Sequence, residues 1–296
     1  MRGRSMRIQS ALSVLLSLPL LAAAQFEWKV GENQRYQLSE NGKPVLTYNA
    51  GIESHPDAPA DRARCCYVYP LLTPRGVSPL DDFPKDHYHH RGLFWAWPFV
   101  EAGGKVYDNW MRMAGIRAVT GAAPEAIVQG GVARIEASNH WEAGGTPIVS
   151  EKVRIAVHPA EKASRTLDLE LVFEALDRPV QLQGSREKGK SYGGLNVRFA
   201  PREQTVIRSS DGDVPKDTDL VAHVWAEMEA VYGGRRAAVR FEADPRNPHS
   251  PPQWCLRHYG FIGAAFPGRT ESVSSYTLEK GKPLTLRYRV TLTDLP

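Results

Sequence analysis

The chain has 296 residues, with 37 Lys and Arg against 33 Asp and Glu and a formal charge of +4. Removing Arg2, Arg4 and Arg7 leaves +1, a balance that excludes the basic face a nucleic-acid partner requires. Three cysteines, two of them adjacent, exclude a disulfide scaffold and a CxxC metal site.

The first element is a targeting segment. Arg2, Arg4 and Arg7 precede the apolar run Ala11 to Ala24, which ends in small residues. That order describes a secretory signal peptide over residues 1–24, and the run is shorter than the roughly 20 apolar residues a membrane span needs. Residues 25–296 then form one domain, periplasmic or secreted, with no later segment of transmembrane length. Export permits one disulfide, from Cys255 to Cys65 or Cys66, and three buried thiols fit the same spacing equally well.

Beyond the signal, apolar residues recur at every second position, which is the period of a half-buried strand. Asn41-Gly42 is a hairpin turn between two such runs. Val149, Glu151, Val153, Ile155 and Val157 share a strand face, as do Leu167, Leu169, Leu171 and Phe173. Leu195, Val197 and Phe199 alternate with Asn196 and Arg198. The stretch 217–231 places Leu220, Val221, Val224 and Met228 at helical spacing, but the Gly233-Gly234 turn after it favours strand. Leu284, Leu286, Tyr288, Val290 and Leu292 close the chain as another alternating run. Many strands, short turns and little helix predict an all-β fold, a large antiparallel β-sandwich.

Three segments concentrate chemistry. In the first, Asp86, His87, Tyr88, His89, His90 and Arg91 are consecutive, and Trp95 and Trp97 follow on one strand face. Imidazole transfers protons near neutral pH or ligates metal, and indole faces stack on sugar rings. A structural His loop and core tryptophans are the plain alternatives. In the second, Gly193-Gly194 leads into Asn196 and Arg198, which are suited to hydroxyl or carboxylate recognition if they do not simply face solvent. In the third, a proline-dense stretch carries Trp254, Arg257, His258 and Tyr259, one wall of a pocket or a packed surface loop. Glu151 interrupts an apolar strand face, so it is either a paired core carboxylate or an acid–base residue.

The stretches YPLLTPRG…FPKDHYHHRGLFWAW, KSYGGLNVRF and NPHSPPQWCLRHYGFIGAAFPG resemble the family DUF6807, also called PmoA-family, in order and over most of the mature chain. The resemblance implies an exported protein with a sandwich like that of galactose mutarotases, the super-sandwich. It carries His87, His89, His90, Asn196, Arg198, Trp254, Arg257 and His258 onto matching positions. Cys255 departs from the pattern, standing where many relatives are expected to carry His. The family's older oxygenase name does not suit this chain, since a membrane methane monooxygenase subunit needs several transmembrane helices.

These observations lead to an enzyme that uses His acid–base chemistry on a sugar or glycoside, by hydrolysis, elimination or epimerisation. The expected catalytic set is His87, His89, His90, Glu151 and His258, with His89 or His90 as the acid–base residue and Glu151 or Asp86 as the carboxylate that orients it. Arg91, Trp95, Asn196, Arg198, Trp254 and Arg257 are expected to bind a small-molecule or oligosaccharide substrate. No cofactor is required. Two other readings compete: a non-catalytic carbohydrate-binding protein, and a metal-dependent oxygenase-like enzyme holding an ion with His87, His89 and His258.

Overall fold

The computed structural model describes residues 25–111 and 115–296. The expected signal peptide lies outside the described residues. Strands dominate, and the helical pieces among the described residues are two three-residue 3-10 turns, Glu32–Gln34 and Ala60–Arg62. The expected all-β sandwich of large antiparallel sheets is what forms. No described helix is long and apolar enough to cross a membrane.

Two large sheets stack on each other. The nine-stranded sheet runs, edge to edge, through Phe26–Gly31, Arg35–Glu40, Lys43–Asn49, Tyr67–Leu71, Leu93–Ala96, Gly194–Arg198, Phe261–Ala265, Gln253–Arg257 and Thr218–Ala222. The ten-stranded sheet has the long strands Leu284–Asp294, Ser164–Ala175, Thr146–Val157 and Val132–Ala143 at its centre. A four-stranded sheet of Tyr276–Leu278, Val180–Gln183, Phe99–Ala102 and Lys105–Tyr107 stands beside them. Every strand pair is antiparallel, so short turns suffice, and Asn41-Gly42 and Gly233-Gly234 make two of them. The stretch 217–231 is two strands, Thr218–Ala222 and Trp225–Tyr232, assigned to different large sheets. The chain changes sheets at His223-Val224, and that break mimicked a helical period.

One continuous core fills the space between the large sheets. Leu169, Leu171 and Phe173 enter it from the ten-stranded sheet, and Leu93, Trp95, Leu195, Val197, Trp254, Leu256 and Ile262 from the other. Alternation then forces the neighbours of these residues outward. Phe94, Asn196, Arg198, Cys255, Arg257 and Phe261 therefore share the outer face of the nine-stranded sheet. Register aligns them: Phe94, Asn196, Gly263 and Cys255 lie in one cross-strand row, and Arg198, Phe261 and Arg257 in the next. This face is not left to solvent, since Tyr67, Phe94, Trp110, Cys255 and Phe261 form a second, smaller buried cluster on it. Of the two cysteine expectations, buried thiols hold: Cys65, Cys66 and Cys255 are free and buried.

Candidate functional site

The site is built on that outer face. Residues 84–92 cross it as a series of turns, with the His87 amide bonded to the Pro84 carbonyl and the His90 amide to that of His87. Arg91 fixes this crossing. Its fully buried guanidinium donates to the carbonyls of Tyr88 (2.7 Å), His90 (2.6 Å) and Arg62, and lies 3.5 Å over the Phe83 ring. Asp82, 3.6 Å from Arg91 Nε, accepts 2.8 Å from the Tyr67 hydroxyl. Burial pushes the Asp82 carboxyl up to about 6.

The crossing lays the histidines onto the floor as a column of rings. Tyr259 stacks on His87 (5.3 Å between centroids), His87 on His90 (4.7 Å) and His90 on Phe261 (5.0 Å). His89 packs edge-on against His87 and His90. Trp110 closes the other side, 5.9 Å from His90 and 4.9 Å from Tyr192. Beside the column, Arg198 Nη2 donates to both oxygens of Asp86 at 2.8 Å, and Asp86 Oδ2 lies 2.9 Å from His87 Nδ1. Burial opposes the Asp86 charge, but Arg198 and His87 outweigh it and hold the carboxyl below its ordinary range.

Several polar atoms in this cluster lack a hydrogen-bonding protein partner: Asn196 Oδ1, His90 Nδ1, Arg198 Nε and Nη1, and His87 Nδ1, whose 2.9 Å approach to Asp86 is close but not aligned as a hydrogen bond. Buried groups are nearly always hydrogen-bonded, because an orphan costs about 1–3 kcal/mol. Their concentration on one face makes that face the candidate for a ligand. Gly263 adds to it: a Cβ there would meet Asn196 Oδ1 at 2.9 Å, so only glycine leaves that acceptor its place. Burial holds His89 down at about 3, with His87, Arg62, Arg91 and Arg64 adding to the effect. Burial also takes His90 well below its ordinary value, with His89 next. Both rings are therefore neutral at neutral pH. They can accept a proton or a hydrogen bond but do not stand ready as acids. His87 is more open, with 37% of its side chain exposed.

The three segments thus meet: Asp86 touches Arg198, and Tyr259 stacks on His87 and lies 5.0 Å from the Arg198 guanidinium. Several expected site residues are elsewhere. Glu151 is in the core, accepting from Trp95 (3.0 Å), Trp141 (2.7 Å) and Asn139 (2.8 Å), so the sheet separates it from the histidines it was expected to assist. Trp95 and Trp254 face the same core, with Trp254 1% exposed and donating to the His223 carbonyl, and so offer no ring to a sugar. Arg91 holds the His crossing rather than a substrate. Arg257 does face outward, but its guanidinium binds the Thr218 carbonyl and Asp219, each at 2.7 Å. His258 Nδ1 lies 3.0 Å from Asp217 Oδ1 at the rim. Among the described residues no three His, Cys, Asp or Glu side chains are grouped to hold a metal, so His87, His89 and His258 are not assembled as the oxygenase reading required.

Sequence reasoning missed Phe94, Phe261, Trp110 and Tyr192. The first two were legible in principle: once Asn196 and Arg198 are read as facing outward, pairing places Phe94 opposite Asn196 and Phe261 opposite Arg198. Trp110 and Tyr192 come from irregular segments and carry no periodic signal.

A family model for DUF6807, a family of unknown function, matches residues 35–295, and the chain belongs to that family. No curated protein matches. Among solved structures, a GalM/aldose epimerase homologue from C. elegans is similar at 8% identity and TM-score 0.38, covering 93% of this chain and 100% of that one. A putative kojibiose phosphorylase from the human microbiome is similar at 10% identity and TM-score 0.36, over 89% of this chain. This chain spans 29% of the phosphorylase. Likenesses of this size add nothing to the architecture read from the sheets themselves.

Proposed function

We propose that this DUF6807 member is an exported enzyme that binds a sugar on the outer face of its nine-stranded sheet and transfers protons at it. The observation that carries the reading is the Asp86–His87 pair, set among buried polar atoms without partners and flanked by aromatic rings. Asp86 meets His87 at Nδ1, which leaves Nε2 as the reacting nitrogen. Arg198 holds Asp86 ionised, and Asp86, 2.9 Å from His87 Nδ1, fixes the orientation of that ring. His90, neutral and stacked beneath, adds no positive charge to those of Arg198 and a protonated His87. Asn196 Oδ1 would accept from a sugar hydroxyl, and Arg198 Nη1 would donate to one, when ligand displaces the rings above them.

The test is a screen of the mature protein against aldoses, glycosides and uronates, with products and saturation transfer followed by NMR. Turnover of one class, removed in His87→Ala while that sugar still binds, is the expected outcome. Binding without turnover would leave a carbohydrate-binding protein, and no binding to any sugar would end the reading altogether.

A further inference from the structure

A second concavity adjoins the site across Trp110. It is a cleft of ≈ 530 Å³, within the range of small-molecule sites, and its walls include Phe99, Tyr107, Trp110, Tyr192, Ser185 and Arg186. Trp110 is the shared wall, in ring contact with His89 (6.4 Å) and His90 (5.9 Å) as well as Tyr192. The cleft is built from another part of the fold, the Phe99–Ala102 and Lys105–Tyr107 hairpin of the four-stranded sheet and the 184–193 segment.

Its chemistry differs from that of the histidine face. Phe99, Tyr107 and Tyr192 are only half-buried, Tyr107 packing against the main core and Tyr192 against the smaller one while part of each ring stays open. Its polar groups are already oriented. Arg186 lies 4.1 Å over the Phe99 ring and donates to Gln183 Oε1 at 2.8 and 3.0 Å, and the Tyr192 hydroxyl donates to Glu187 at 3.0 Å. Half-exposed rings with fixed polar groups beside them, Arg186 covering one face of Phe99, suit a pyranose, which has an apolar face and a hydroxyl rim. None of the residues assigned to proton transfer lines this cleft.

We propose that the cleft is a subsite for a second sugar residue, so that the natural substrate is an oligosaccharide or glycoside spanning both sides of Trp110 rather than a free monosaccharide. The proposal rests on the sugar-site reading above and extends it to the substrate's size. One residue would lie beside the His87–Tyr259 pair, and its neighbour would stack in the cleft.

The experiment is calorimetric titration of the mature protein with methyl glycosides of common hexoses and with the disaccharides and trisaccharides that contain them. A disaccharide should bind roughly tenfold tighter than its component methyl glycoside, the gain expected of one or two ring contacts. Phe99→Ala should remove most of that gain and leave the methyl glycoside's affinity unchanged. Because Phe99 is partly buried, Val106→Arg, at a position 53% exposed on the cleft wall, provides a second variant that obstructs the cleft without touching a core. Equal affinity for one and two residues overturns the subsite while the sugar site stands. A disaccharide preference that survives both variants overturns it too. Failure of every sugar to bind removes the sugar site and the subsite together.

Discussion

The two outer faces of the sandwich carry similar residues to opposite ends. On the ten-stranded sheet, Arg154 bridges Glu136 (2.6 Å) and Glu170, Arg287 reaches Glu170 (2.7 Å), and Arg289 and His158 share Asp168, each at 2.8 Å. That face carries an open hollow of ≈ 790 Å³, larger than the ≈ 530 Å³ cleft beside Trp110. Yet its charges answer one another across neighbouring strands, as cross-strand pairs do in any half-exposed sheet. On the nine-stranded sheet the rows are interrupted: Arg198 is half-satisfied, Asn196 keeps an empty acceptor, and histidines are stacked where they lose their charge. Size alone would choose the paired face, whereas unmet hydrogen bonds point to the histidine face as the candidate.

The largest expected effect lies on the interrupted face. His87→Ala should lower turnover by about 10²–10⁴, the usual worth of a positioned acid–base group, with little change in melting temperature. Equal losses of activity and stability would make the His crossing a structural strap. Next is the carboxylate that the sheet separates from the site. Glu151→Gln presents an amide to three donors and should cost roughly 3 kcal/mol in denaturant unfolding, while sugar affinity stays within about twofold. A mild stability cost with a lost activity would return Glu151 to the mechanism.

A smaller effect is expected with pH. His89 is held at about 3 against an ordinary 6.5, so the unfolded chain binds the extra proton between those values. Its contribution is whole above about pH 6.5 and is lost as pH falls towards 3. His89→Gln should therefore flatten the acid limb of the stability curve by about 2 kcal/mol, after allowance for partial exposure. A limb as steep as that of the parent protein would show the ring to be charged or exposed. The smallest effect belongs to the paired face. Glu170→Gln breaks two half-exposed pairs and should cost under about 1 kcal/mol, with no change in any sugar affinity.

Period-two alternation made the sheets legible, because a strand buried on one side must write its burial into every second residue. It did not say which set faced which layer. Trp95, Trp97 and Trp254 were singled out for their chemistry, but they face the core, and the outer side with the candidate site bears Phe94 and Cys255. The Asn196 and Arg198 pair was legible because polar residues alternating with Leu195 and Val197 have only one way to point. Glu151 drew attention as a carboxylate among valines, and the plain alternative, a paired core group, is the one realised: its partners Trp95, Trp141 and Asn139 come from other strands. The cleft beside Trp110 left no trace in the sequence, since its walls are assembled from turns and a separate small sheet.

The three thiols have a consequence for how the chain must be made. Cys65, Cys66 and Cys255 are 2%, 4% and 3% exposed, and burial pushes the Cys255 thiol up, with Asp219 adding to the effect. The Cys65 thiol is drawn down by its hydrogen bond with Cys66, so it is burial, common to all three, that keeps the sulfurs of the finished protein from an oxidant. Before collapse all three are open, and an adjacent pair is an easy target for mixed disulfides. In an oxidising compartment the molecule is therefore in a race, with sheet assembly against capture of its sulfur. The outcome would be read in soluble yield rather than in the stability of the product, and a Cys65→Ser, Cys66→Ala, Cys255→Ala chain should gain yield most where oxidant is strongest.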